Sequence, residues 1–148
     1  GTPGEAEASL QDACDRQLET ITTCLHNLEF RKAADALCAL WTLGNQYIDV
    51  QAPWTLIKQD RDAAAQVLRT CINLIRLYAI ASSPFIPATA QQLFEALNMT
   101  ESDRATPLNK AAQLDALQPG HPFQVPPVLF RKLEDAQVAQ LKQQFGGE

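Results

Sequence analysis

Residues 60–82 decide how this chain folds: Asp60-Arg61-Asp62-Ala63-Ala64-Ala65-Gln66-Val67-Leu68-Arg69-Thr70-Cys71-Ile72-Asn73-Leu74-Ile75-Arg76-Leu77-Tyr78-Ala79-Ile80-Ala81-Ser82. Val67, Leu68, Cys71, Ile72, Leu74, Ile75, Tyr78 and Ala79 recur at three-to-four spacing, which predicts a helix with the widest apolar face in the chain. Asp60 or Asp62 caps its start, and Ser82-Ser83-Pro84 ends it. Upstream, Phe30, Ala33, Leu37, Leu40, Trp41, Gly44, Tyr47 and Ile48 predict a second helix over 29–50, stopping before Pro53, which disfavours helical geometry at Ala52. Further upstream, Ser9 and Asp12 resemble a capping box, and the stripe from Leu10 to Leu25 predicts a helix over 9–27 behind a flexible leader of residues 1–8.

Downstream, Pro87 suits a first helical turn, and Ala90, Leu93, Phe94 and Leu97 give a short helix over 87–97. Five of the nine prolines then fall between 107 and 127, so residues 104–134 are expected to be largely irregular. Leu108–Leu117 is read as a short helical piece, Val128-Leu129-Phe130 as a docked extended segment, and Asp135 as the cap of a last helix over 135–145. Amphipathic helices with short connections and no alternating strand pattern predict an all-α antiparallel bundle, one domain over 9–148.

A single domain is also what 148 residues allow. The net charge of −5 excludes a sequence-independent polyanion binder, whose affinity needs massed cations. That charge is unevenly spread: residues 1–30 hold six acids and one base, whereas residues 31–76 hold six bases and four acids. No apolar run approaches the roughly 20 residues that span a bilayer, and the reading is of a cytoplasmic protein without a membrane or DNA partner. Cys14, Cys24, Cys38 and Cys71 form no C-x-x-C and sit in helical apolar patterns as structural thiols.

Catalytic chemistry finds little to work with. His26 falls at a helix end and His121 in a Pro-Gly-His-Pro turn, so no nucleophile and base are evidently paired. The six glycines fit no phosphate-binding loop, and no His or Cys pair has zinc spacing; no catalytic residue, metal ligand or cofactor is assigned to the chain. The residues that remain are Trp54, on the corner between two helices, and Lys58 four positions on, sharing its face if a helix starts there. An indole beside an ammonium suits an unstacked base and its phosphate, and equally an indole can simply pack a hinge; the residues alone leave both open. Arg69, Asn73 and Arg76 at i, i+4 and i+7 make one polar stripe, read either as solvated surface or as phosphate contacts.

Asn45-x-Tyr47-Ile48, Ala52-Pro53-Trp54 with Lys58, and Pro84-Phe85-Ile86-Pro87-x-x-Ala90 resemble the C-terminal anticodon-binding domain of methionyl-tRNA synthetases, over about residues 20–135. Glu29-Phe30-Arg31-Lys32-Ala33 and Leu129-Phe130-Arg131-Lys132-Leu133-Glu134 stand where that family has similar elements. The resemblance implies a helical bundle in which Trp54 stacks at the CAU anticodon loop of tRNA(Met), and Tyr47, Pro53 and Asn45 shape the corner, Asn45 by tying two helices; Lys58, Arg69 and Arg76 stay the candidate phosphate contacts that the residues themselves offer. It also implies a parent enzyme using ATP with magnesium, and zinc in its catalytic region. An Asn and an Arg that the family uses on an earlier helix have no counterpart before residue 20, nor are the catalytic signatures present. The chain is therefore expected to be an incomplete anticodon domain that binds tRNA poorly alone. The looser parts of the pattern are shared by isoleucyl and valyl enzymes, and a helical interaction module that reads no RNA is the competing class.

Overall fold

The computed structural model describes residues 4–146, and every regular element among them is helical. α1 (Glu5–His26), α2 (Phe30–Gln51), α3 (Pro53–Leu56), α4 (Arg61–Ser82), α5 (Pro87–Ala96), α6 (Glu101–Arg104) and α7 (Asp135–Phe145) follow in order, with one 3₁₀ turn at Leu108–Lys110. α1 packs along α2, and α4 packs against α2, α3 and α5. Leu18, Ile21, Leu40 and Leu77 are fully buried where these helices meet, as the stripe of each predicts.

The first helix begins four residues earlier than its pattern suggests. Gly4 is its N-cap, and the Glu7 carboxylate accepts the Gly4 N–H at 2.8 Å, one half of a capping box whose other half glycine has no side chain to make. Residues 4–8 of the expected leader are thus helix or cap, because Glu7 at the third helical position satisfies an end the apolar pattern ignores; residues 1–3 lie outside the described residues. At the other end Leu28 takes φ 58°, letting Leu28 and Glu29 donate to the Leu25 and Cys24 carbonyls and turning the chain into α2. Asn98 (φ 49°) closes α5 in the same way.

Gly44, midway along α2, is buried against α4. A Cβ there would lie 3.1 Å from Cζ of Tyr78 and 3.3 Å from Cδ1 of Leu74, and closer still to the phenol oxygen. The two helices approach at the one position on this stripe that carries no side chain.

Beyond α6 the chain becomes a strap laid along α4. Only Leu108–Lys110 of the expected 108–117 helical piece is helical, yet Ala111, Ala112, Leu114 and Leu117 are buried. Side chains of α4 hold the strap in place of a backbone ladder. Asn73 Oδ1 accepts the Leu117 N–H at 2.8 Å, and its Nδ2 donates to the Leu117 carbonyl at 3.3 Å. Further on, His121 Nε2 donates to the Leu97 carbonyl at 2.6 Å and the Gln124 N–H donates to that of Ala96 at 2.7 Å. The docked segment expected at 128–130 is only half realised: Leu129 is half-buried, whereas Val128 and Phe130 are exposed.

Candidate nucleic-acid interface

The nine residues between α2 and α4 have almost every backbone group accounted for. Ala52 takes φ 40°, ψ 61°, a left-handed conformation that costs an L-residue about 1–2 kcal/mol. It holds because the Ala52 N–H donates to Ile48 at 2.9 Å while its carbonyl accepts from Thr55 and Leu56 at 2.9 and 3.0 Å. Pro53 takes the first helical position, where a missing N–H is harmless. Ile57, Lys58, Gln59 and Asp60 donate back to Pro53, Thr55 and Leu56, and Asp60 Oδ1 then caps α4 by accepting the Ala63 N–H at 2.9 Å.

On this framework Pro53 and Leu56 face inward and Trp54 faces out, with 57% of its surface exposed. Val50 and Ile57 are exposed beside it in sequence, and so are Lys58 and Arg61. An exposed indole of this kind, on backbone already hydrogen-bonded and with cations close in sequence, presents a face on which a flat unstacked ring can lie. Trp41, half-buried against the core, shows the packing role that Trp54 does not adopt. Ile57, three residues after Trp54, adds a second exposed apolar side chain that the i, i+3 spacing alone places on the same turn.

The other expected site residues divide sharply. Tyr47 and Pro53 are buried at the corner, Tyr47 donating its hydroxyl to Glu7 Oε1 at 2.5 Å. Asn45 does not tie helices: α2 buries the line through Leu37, Leu40, Gly44 and Tyr47, and at 100° per residue Asn45 falls on the exposed far side.

Arg69 and Arg76 do not form a phosphate-facing stripe either. Arg76 is 4% exposed and donates to the Ala111 carbonyl at 3.1 Å and to Thr106 Oγ1 at 3.4 Å; burial draws its pKa below the ordinary guanidinium value, with Asp103 opposing. Arg69, half-buried, reaches the Leu117 and Asp115 carbonyls at 3.4 Å and Gln118 Oε1 at 3.3 Å. The strap covers this face, and its free carbonyls need donors more than any phosphate does.

Among the described residues no three His, Cys, Asp or Glu side chains gather as a metal site would, and no helix is long and apolar enough to cross a membrane. Of the cysteines, Cys14 and Cys24 are buried, Cys71 is half-buried and Cys38 is exposed, so Cys38 departs from the buried reading. Burial pushes the Cys14 thiol up to about 12.

All 148 residues match the family described as the anticodon binding domain of methionyl tRNA ligase. The chain belongs to that family. It is 55% identical over 148 residues to methionine–tRNA ligase 1 of Acaryochloris marina, covering all of this chain and 26% of that protein. It is 42% identical over 147 residues to the methionine–tRNA ligase of Cereibacter sphaeroides and 43% identical over 150 to that of Streptomyces avermitilis, in each case across 99% of this chain. The chain spans about a quarter of the length of these relatives.

Proposed function

We propose that this anticodon-binding domain reads the CAU loop of tRNA(Met) at the Trp54 corner, and so positions the tRNA for ATP-dependent aminoacylation by a methionine–tRNA ligase in the cytoplasm. The observation that carries it is the 57% exposed indole on a corner whose backbone is already hydrogen-bonded. An anticodon loop offers splayed bases, and stacking needs few cations, which fits a chain of net charge −5. Lys58 takes a neighbouring phosphate, while Arg69 and Arg76 stay with the strap. The unit that does this is one domain whose first turn starts at Glu5 rather than residue 9. ATP, its magnesium and any zinc belong to the remaining length of such a ligase and call on no residue here.

Trp54→Ala in a full-length ligase carrying this domain is expected to weaken anticodon-dependent charging by about 1–3 kcal/mol. Unchanged charging by a folded variant would remove Trp54 from the reading surface. Competition among anticodon stem-loops tests the base identity, and preference for a loop other than CAU would reassign the domain.

A further inference from the structure

We propose that Glu7, in the first turn of α1, is a positioning residue for the base-reading corner, acting through Tyr47. The inference rests on the Trp54 reading above. Glu7 is 8% exposed and Tyr47 7% exposed, although 40 residues separate them in sequence. Glu7 Oε1 accepts the Tyr47 hydroxyl at 2.5 Å and Oε2 accepts the Gly4 N–H at 2.8 Å, so both carboxylate oxygens are engaged. Within the described residues no Lys or Arg pairs with this carboxylate. These two donors and the N-terminal peptide dipoles of α1 surround the buried carboxyl group.

A carboxylate and phenol in this place are more than packing. An apolar pair of similar volume would fill the space without desolvating a charge. What the pair supplies is direction: a buried hydrogen bond with defined geometry fixes the register of α1 on α2 at one point. Thr70 of α4 stands beside the same phenol, so three helices meet there. Burial first, and then the bond to Glu7, raise the Tyr47 pKa and keep its proton in place as the donor.

The route from Tyr47 to Trp54 contains no soft joint. Tyr47 lies in the last stretch of α2; the next residue, Ile48, accepts the Ala52 N–H that sets the left-handed turn. Ala52 leads directly to buried Pro53, whose φ is fixed by its ring, and then to Trp54. A rotation of the end of α2 allowed by loss of the Glu7 tie would therefore be passed on to the indole. A displacement of that size at a contact surface weakens binding without touching the contact itself.

The test uses a full-length ligase carrying this domain and reads KM for tRNA and kcat separately. Glu7→Leu is expected to raise KM about tenfold with kcat nearly unchanged, and Glu7→Gln to recover part of the loss, because its amide oxygen still accepts the phenol proton while its NH2 can no longer accept the Gly4 N–H. Tyr47→Phe, which keeps the ring and loses only the hydroxyl, is expected to raise KM about threefold and replaces Glu7→Leu if the latter fails to fold. Adding Trp54→Ala to either variant is expected to cost much less than Trp54→Ala alone, since both act on one contact. If Trp54→Ala raises KM but Tyr47→Phe and a folded Glu7→Leu do not, or if the losses simply add, Glu7 has no positioning role and the Trp54 reading survives. If Trp54→Ala alone is silent, both fall.

Discussion

The 52–60 corner and the Arg69–Asn73–Arg76 stripe of α4 invert the usual places of apolar and charged groups. At the corner, Trp54 and Ile57 face solvent, as does Val50 at the end of α2 just before it. On the stripe, a guanidinium and an amide are sealed under the strap, Asn73 with no exposed surface at all. The difference follows from which side has backbone to satisfy. The corner closes its own hydrogen bonds, so its side chains are left for other uses; the strap has no ladder, so α4 spends its polar side chains on it. In this domain the two arginines of the α4 stripe serve as internal latches, whereas the corner leaves apolar surface exposed.

Stability and binding should therefore separate along this line. Asn73→Ala strands the buried N–H and carbonyl of Leu117 and is expected to cost about 3 kcal/mol of stability, seen as a lowered urea midpoint with early hydrogen exchange at 111–118. A cost near zero would mean that the strap is held by apolar burial alone. Trp54→Ala, by contrast, should leave the urea midpoint within about 0.5 kcal/mol of the parent while it weakens RNA binding; a large stability loss would return Trp54 to a packing role. Ala52→Val places a β-branched residue at φ 40° and is expected to lose roughly 1–2 kcal/mol, testing whether the corner's conformation is really imposed by its hydrogen bonds.

Smaller effects sharpen the electrostatic half. Lys58→Ala should reduce the slope of log K against log salt by about 0.7, as expected for one phosphate contact on a single strand, whereas Arg69→Ala should leave it unchanged. The strap side carries a slight acid sensitivity of its own. The Thr100 hydroxyl and N–H hold the Asp103 carboxyl below its ordinary value, so its contribution is complete above the unfolded value of 3.8 and fades as pH falls through the depressed one. Asp103→Asn should remove that low-pH phase from the unfolding midpoint and change nothing at the corner.

α1, α2, α4 and α5 were legible because each advertises one buried face: Asp60 caps α4 and Pro87 opens α5 where the sequence places them, whereas the single turns α3 and α6 are too short to show a period. The corner was legible because a Pro interrupts two such faces and leaves a tryptophan between them. Arg76 was not, because a polar stripe at i, i+4 and i+7 looks the same whether water or another segment covers it. The covering segment is rich in proline and has no period, so nothing in its sequence announces that it lies on α4. Glu7 was hidden for a related reason: an acid near the start of a chain reads as leader until its partner, 40 residues away, is known.

Gly44 gives the corner a gauge. The spacing of α2 from α4 is set where a methyl group is already too thick, and the remaining seven residues of α2 project about 10 Å beyond that point before the chain turns. A shim under a beam moves its far end most. Gly44→Ala would tilt α2 about this bearing, so a change of one carbon deep between two helices would be felt as a shift in the height and angle of the indole, far from any atom that was altered.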